Sequence, residues 1–269
     1  MKKDPKLTRK LAIAALSTAL IATVARAQNQ SQPWREWSQK DAEKILNDSP
    51  WAQVQVETNT SEMTYSPTSG SGANTTTNRT APPSTTMRQE QADRNANRAS
   101  EGAYNGPVST NYQIRFLSAK PIREALANLI LVQQSGANAA DQQKIKNQMQ
   151  EFVERNYGDF IVVTVTYESG DGRLEGKAFQ NFNSAVTDTL KNNTYLERTD
   201  GKRVYLMDYR APIQDGLGAK FVFPRTVEGK PFLTAASSEV RFYAEIGTNL
   251  KLNRRFKVND MIYQGKLEY

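Results

Sequence analysis

The chain has 269 residues, a formal net charge of +7, no cysteine and no histidine. The absence of these two residue types excludes disulfides, thiolate chemistry, zinc sites built on Cys or His, and nucleophiles activated by a histidine base. We therefore predict no metal site and no cofactor, and the sequence assigns no catalytic residue.

The first 27 residues have the pattern of a secretory signal peptide. A basic stretch precedes the apolar run LAIAALSTALIATV, and Ala25 and Ala27 are the small residues at the positions that a signal peptidase recognises. The apolar run is shorter than the ~20 residues of a membrane-spanning helix. We predict cleavage before Gln28, a secreted or periplasmic location, and no membrane span after cleavage.

Most of the positive charge lies in this leader. It contains six cations and one acid, which leaves a net charge of +2 for residues 28–269. No basic cluster with interleaved aromatic residues remains, so nucleic acid is not an expected partner.

Residues 28–57 contain all three tryptophans and predict one helix and one strand. Ser38 and Asp41 resemble a capping box, which predicts a helix from Gln39 to about Asn47. Residues 52–57 alternate between apolar and polar, which is typical of a half-buried strand. An isolated helix and strand could not bury large side chains, so we expect this segment to belong to the main domain. The expected core residues are Trp34, Trp37, Ile45, Leu46 and Trp51.

Residues 58–106 differ from the rest of the chain. About half of the residues in 58–86 are Ser or Thr, and large apolar side chains are nearly absent. Such a segment cannot bury enough surface to offset its ordering entropy, so we predict a disordered linker. A glycosylated stalk is the alternative interpretation.

Residues 107–269 predict the main domain, with an α+β fold. A strand near Tyr112–Phe116 precedes a buried helix that begins at Pro121, and a second helix ends before Gly158. A central strand follows at 160–168, and Phe179, Phe182, Val186 and Leu190 form the apolar stripe of a third helix. The remaining strands are predicted at 219–223, 239–246 and 250–258, and around an Asp200-Gly201 hairpin turn. We expect a mainly antiparallel sheet with its helices on one side.

Several motifs resemble a family of uncharacterised secreted bacterial proteins, known especially from acidobacteria. They are Trp34-x-x-Trp37, ILNDSPWA, YQIRFLSAKPIREAL and MIYQGKLEY, of which ILNDSPWA is the most specific. The resemblance implies export and a compact domain, and it brings no established activity.

Two charged residues interrupt apolar strand patterns. Asp208 continues the face of Val204 and Leu206, and Arg254 follows Leu250 and Leu252 at inward positions. A buried ligand-binding pair is one interpretation, and a structural ion pair or a strand-end position is the other.

These patterns favour an exported, non-enzymatic binding or interaction protein whose partner is an unidentified protein or envelope component. The first alternative is a cell-envelope or polysaccharide hydrolase with paired carboxylates, for which Glu168, Asp171 and Glu175 are candidates by proximity in sequence. The second alternative is a structural accessory of an envelope or secretion complex that uses an exposed strand edge.

Overall fold

The computed structural model describes residues 32–59, 108–136, 138–213 and 215–269. The predicted signal peptide, its cleavage residues Ala25 and Ala27, and the predicted linker from residue 60 onward lie outside these ranges. The described chain divides into two compact units. The larger unit contains 32–55, 113–166 and 181–269, and the smaller unit contains 56–59, 108–112 and 167–180, within the described ranges.

Two of the helices begin at residues whose side chains cap the first turn. Ser38 Oγ accepts a hydrogen bond from the N–H of Asp41 at 3.1 Å, and Asn138 Oδ1 accepts one from Asp141 at 2.9 Å. The helices are α1 (Gln39–Asn47), α2 (Lys120–Gln133), α3 (Ala139–Glu154), α4 (Gly172–Ser184) and α5 (Thr187–Leu190). One-turn 3₁₀ helices lie at Trp34–Glu36 and Val258–Asp260.

The strands form two larger sheets and two short ribbons. They are β1 (Ala52–Asn59), β2 (Val108–Phe116), β3 (Phe160–Ser169), β4 (Thr194–Arg198), β5 (Arg203–Tyr205), β6 (Asp208–Arg210), β7 (Ala219–Pro224), β8 (Thr226–Val227), β9 (Lys230–Pro231), β10 (Glu239–Ile246), β11 (Leu250–Lys257), β12 (Ile262–Tyr263) and β13 (Lys266–Leu267). The five-stranded sheet has the order β1-β2-β3-β7-β6, and the four-stranded sheet has the order β11-β10-β4-β5. Antiparallel pairs join β3 to β7, β6 to β7, and the strands of the four-stranded sheet to one another. The predicted α+β class with antiparallel sheets is confirmed.

Aromatic rings fill the space between the two sheets. Phe116 on β2 meets Phe256 on β11 with ring centroids 5.0 Å apart, and Phe221 on β7 meets Phe242 on β10 at 5.4 Å. All four side chains are fully buried. Burial of one such side chain is worth about 1.5–3 kcal/mol, so this layer is a main source of stability.

Glutamine side chains connect the edge strands β1 and β11. Gln55 donates from Nε2 to the carbonyl of Lys251 at 2.8 Å, and its Oε1 accepts the N–H of Asn253 at 2.8 Å. Gln53 donates to the carbonyl of Arg255 at 2.7 Å. The glutamine amides thus replace part of a main-chain ladder, and they satisfy the groups that an edge strand leaves unpaired.

The tryptophan segment packs on the helices of the larger unit. Trp34, Trp37 and Trp51 are 9%, 6% and 6% exposed. Asn128, buried on α2, donates from Nδ2 to the carbonyls of Trp34 and Trp37 at 2.9 and 3.1 Å. One amide therefore holds both ends of the first 3₁₀ turn. Of the other two residues expected in the core, Leu46 is buried and Ile45 is half-buried.

The predicted third helix is wrong in its length and in its apolar stripe. It divides into α4 and α5, because Val186 takes an extended conformation and the Thr189 hydroxyl bonds the main chain of Val186. Phe182 and Leu190 are buried as expected, whereas Phe179 and Val186 are more than half exposed. The residues at 185 and 186 break the helical phase on which the stripe depends.

Two other apolar residues are more exposed than their patterns predict. Val56 is 54% exposed, although it continues the alternation of Ala52 and Val54. Val132 is 42% exposed in the last turn of α2, whose first two turns are buried. Val132 lies at the end of its helix, where the apolar pattern continues after the packing has ended.

Candidate functional site

A polar cleft of about 320 Å³ lies in the larger unit, where the start of α2, the end of α3 and the segment after β13 meet. Its volume falls at the lower end of the range for small-molecule sites, which is about 300–1,000 Å³. The lining residues are Ser118, Arg123, Glu154, Arg155, Asn156, Tyr157, Gly158, Arg225, Leu267 and Glu268. We call this site the arginine cleft.

Arg123 is the most deeply buried charged residue of the cleft. It lies in the second turn of α2 and is 5% exposed. Its Nε donates to the carbonyl of Val153 at 3.0 Å, and its Nη1 donates to the carbonyls of Leu117 and Ser118. These bonds join the end of α3 to the turn before α2. Burial lowers the pKa of Arg123, and nearby carboxylates partly offset that effect.

Tyr157 and Arg155 form the wall next to Arg123. The guanidinium of Arg123 lies over the Tyr157 ring at 5.1 Å, within the range of a cation–π contact. Burial raises the pKa of Tyr157, while Arg123 and Arg155 act in the opposite direction. Asn156 Oδ1 accepts the N–H of Gly158 at 2.8 Å, which fixes the turn that carries these side chains.

Arg225 closes the cleft from the end of β7. Its guanidinium donates to the carbonyl of Phe160 at 3.1 and 3.2 Å and to the main-chain oxygen of Tyr269. The group also lies 4.4 Å above the Tyr269 ring. Like the acceptors around Arg123, the Phe160 carbonyl carries no net charge.

Two carboxylates line the same cleft, and both contact Lys120. Glu154 accepts from Nζ of Lys120 at 3.1 Å, and Glu268 Oε2 accepts the main-chain N–H of Lys120 at 3.1 Å. A carboxylate at the first turn of a helix is stabilised by the helix dipole, so Glu268 is suited to its position before α2.

The residue that follows Arg123 on the same helix is a buried acid. Glu124 is 3% exposed, and Tyr263 donates its hydroxyl proton to Glu124 Oε2. Burial raises the pKa of Glu124, although the bond from Tyr263 and the nearby Lys120 work against the rise. Burial, together with the same hydrogen bond, raises the pKa of Tyr263.

The local balance of charge in the cleft is positive. Three arginines line it against two carboxylates, and Lys120 lies beside both carboxylates. Guanidinium groups bind planar carboxylates well because their N–H donors form a fork. The arrangement is therefore suited to holding a small anion.

The structure places Asp208 and Arg254 in different sheets and brings them into no shared site. Asp208 lies on β6 and accepts from Arg210 at 3.1 Å and from Thr187 at 3.4 Å. Arg254 lies on the inner face of β11 opposite Phe242, and its buried Nε has no hydrogen-bond partner in the described part of the chain. A binding role for either residue stays a prediction.

The acidic cluster after β3 belongs to the smaller unit. Asp171 forms an ion pair with Arg173 at 2.8 Å, and hydrogen bonds from Arg173 lower the pKa of Asp171. Within the described ranges, no group of three or more His, Cys, Asp or Glu side chains could hold a metal ion. The same part of the chain contains no helix whose length and hydropathy would allow it to cross a membrane.

Sequence reasoning did not identify the residues of the arginine cleft. Arg123 stands in a segment that resembles an ordinary amphipathic helix, and Arg225 follows a strand as surface arginines often do. One signal was available in KPIREAL, because Arg123 and Glu124 are adjacent at the start of a helix expected to be buried. A helix that is buried around its whole circumference must bury its charges too.

Comparisons with protein-family models, with curated proteins and with solved structures found no match for this chain. The resemblance to secreted bacterial proteins is therefore neither supported nor opposed.

Proposed function

We propose that the protein is an exported, non-enzymatic binding protein that holds a small organic carboxylate in the arginine cleft. The observation that carries this proposal is the pair Arg123 and Arg225. Arg123 is held in place by three carbonyls and has no directly bonded carboxylate in the described part of the chain, and Arg225 is held in the same cleft by main-chain oxygens. Export is supported by the pattern of the first 27 residues.

The fixed geometry of these groups favours binding. Arg123 forms three hydrogen bonds to the protein, so little side-chain entropy is lost when an anion arrives. Desolvation of the arginine charge has already occurred during folding, since Arg123 is only 5% exposed. An incoming carboxylate would restore an opposite charge at that position.

The proposal is tested by calorimetric titration of the folded protein with citrate and with a neutral polyol of similar size. We expect citrate to bind and the polyol not to bind, with an affinity for citrate that falls as salt is added. The variant Arg155→Gln removes one lining charge that is exposed and is not part of the core. It should weaken citrate binding about tenfold, which corresponds to about 1.4 kcal/mol.

Arg210→Gln is the matched control, because Arg210 is 72% exposed on β6 and does not line the cleft. Its affinity for citrate should equal that of the parent protein. Equal weakening by both variants would indicate attraction by net charge alone, and an absence of citrate binding would contradict the proposal.

A second candidate function is hydrolysis by paired carboxylates, because Glu154 and Glu268 line one cleft. A hydrolase would release reducing ends from envelope polysaccharide, and Glu154→Gln or Glu268→Gln would abolish that release. The binding proposal expects no release by any of these proteins. It also expects both glutamine variants to bind citrate more tightly, because each removes a negative charge from the cleft.

A further inference from the structure

The outer face of the four-stranded sheet carries a row of tyrosines. Tyr205, Tyr195 and Tyr243 lie opposite one another on the adjacent strands β5, β4 and β10. Their ring centroids are 5.8 Å apart for Tyr195 and Tyr205, and 5.1 Å apart for Tyr195 and Tyr243. Phe242 and Leu196 point to the opposite, buried face. The row therefore faces away from the aromatic core.

A row of arginines runs beside the tyrosines on the same face. Arg203, Arg241 and Arg255 lie in register with Glu197, the carboxylate between them. Glu197 accepts from Arg203 at 2.7 Å and from Arg241 at 2.6 Å, so one carboxylate serves two guanidinium groups. We call the two rows together the tyrosine–arginine face.

The charges on this face are arranged with cations outward. Lys251 and Arg255 are 65% and 61% exposed, whereas their partners Glu245 and Glu239 are 32% and 35% exposed. Arg203 is likewise more exposed than Glu197. A molecule that approaches from solvent therefore meets ammonium and guanidinium groups before it meets carboxylates.

The two rows are open to solvent to different extents along their length. Tyr205 is 47% exposed, and Tyr243 is half-buried with the guanidinium of Arg241 5.6 Å from its ring centroid. Tyr195 is buried, with the guanidinium groups of Arg203 and Arg241 at 4.3 and 5.5 Å from its ring centroid. Adjacent strands lie about 4.8 Å apart, so the face is about 14 Å wide from β5 to β11. Residues on one face two positions apart along a strand are separated by about 7 Å, which sets the distance between the rows.

We propose that the tyrosine–arginine face binds a polyuronate, an extended polysaccharide whose sugar rings carry carboxylates. The rings lie against Tyr205 and Tyr243, and the carboxylates bind the arginine row. Small molecules prefer concave sites, whereas an extended polymer suits an open sheet face. Tyrosine offers an apolar ring with a polar tip, and arginine binds carboxylates through a planar fork. An acidic peptide would use the arginine row but would leave the tyrosine row without a partner.

The experiment is affinity electrophoresis of the full chain in gels that contain polygalacturonate, neutral dextran or poly-glutamate. We expect retardation by polygalacturonate and none by dextran, with weaker retardation by poly-glutamate. Tyr205→Ala and Arg255→Gln alter exposed side chains, and each should weaken polygalacturonate binding at least fivefold. Thermal unfolding confirms that each variant is folded before its affinity is compared.

Two controls separate this face from other positive surfaces. Arg210→Gln changes an exposed charge elsewhere, and Arg155→Gln changes the arginine cleft, so both should bind polygalacturonate like the parent protein. Equal loss in Arg210→Gln would show that binding follows net charge, which overturns the proposal. Full retention in Tyr205→Ala together with equal binding of poly-glutamate would assign the face to acidic peptides and would overturn it as well.

Discussion

The indole nitrogen of Trp51 donates a hydrogen bond at 2.8 Å to the main-chain oxygen of Glu268, 217 positions later in the chain. The Trp51 ring also meets Tyr263 edge to face at 6.1 Å. Glu268 lines the arginine cleft and binds the first turn of α2 through its side chain. A tryptophan from the segment before β1 thus supports one wall of the candidate site.

Replacement of Trp51 should destabilise the whole larger unit. Trp51→Ala removes a buried ring and should lower the free energy of unfolding by about 3–5 kcal/mol. Trp51→Phe keeps an aromatic ring but loses the bond to Glu268, so a smaller cost of about 1–2 kcal/mol is expected. Urea denaturation followed by circular dichroism measures both values. A change below about 0.5 kcal/mol in Trp51→Ala would show that the ring is not part of the core.

Replacement of Asn128 by a charged residue should destabilise the protein. Asn128→Asp removes both donors to the carbonyls of Trp34 and Trp37 and places a carboxylate against two acceptors. The expected loss of stability is on the order of 3 kcal/mol, with a red shift of tryptophan emission as the 3₁₀ turn detaches. Asn147→Asp is the control on the exposed face of α3, and its effect should stay within about 0.5 kcal/mol. Equal costs for the two variants would contradict the structural role of Asn128.

The glutamine contacts between β1 and β11 should be visible in hydrogen exchange. In the parent protein the N–H of Asn253 is bound by Gln55 Oε1 at 2.8 Å, so its exchange should be slow. Gln55→Ala should increase exchange at Asn253, while the N–H of Phe242 in the sheet interior should keep its protection. Solution NMR resolves the two amides separately. Unchanged protection of Asn253 in Gln55→Ala would mean that another group accepts the hydrogen bond from its N–H.

The buried acid Glu124 should make stability depend on pH. Its folded-state pKa is raised above the ordinary value of 4.5 by burial, so the folded protein retains a proton that the unfolded chain releases. Stability from this group is full below pH 4.5 and is lost as the pH rises through the raised pKa. Glu124→Gln cannot ionise, so its stability relative to the parent should increase between pH 4.5 and 7.

A second variant strengthens this pH test. Tyr263→Phe removes the hydroxyl that stabilises the ionised form of Glu124, so the loss of stability with rising pH should be steeper than in the parent. Denaturant titrations of all three proteins at several pH values supply the slopes. Parallel curves for the parent and Glu124→Gln would show that Glu124 does not take up a proton in this range.

The sequence predicts two kinds of element correctly. They are the elements whose apolar side chains repeat with a clear period and the helices that begin at a capping residue. The Ser38 cap gives α1 with its observed bounds, and the alternation in 239–246 gives β10 with its buried residues Val240, Phe242, Ala244 and Ile246. The division of the strands between two sheets is not predictable, because alternation identifies a buried face without identifying what covers it. The prediction of a single third helix is wrong for a related reason. The local turn at Val186 interrupts the helix although the apolar pattern continues through it.

The arginine cleft depends on contacts between distant residues and therefore leaves little trace in sequence. Arg123 and Arg225 are 102 positions apart, and the main-chain oxygens that hold them lie in turns and at the ends of helices and strands. By contrast, Asp208 and Arg254 interrupt strand patterns visibly but lie in separate sheets. A break in a local pattern identifies an unusual residue, whereas a site requires knowledge of which elements meet.

The measurement that tests the central claim most directly is an NMR titration of the isotope-labelled protein with citrate. If the arginine cleft binds a small carboxylate, the Nε–Hε signal of Arg123 and the amides of Tyr157 and Gly158 should shift together and saturate. The amides of Tyr205 and Arg255 on the tyrosine–arginine face should not follow the same saturation curve. Saturable shifts confined to other surfaces, or no saturable shift at Arg123, Tyr157 and Gly158, would contradict the account.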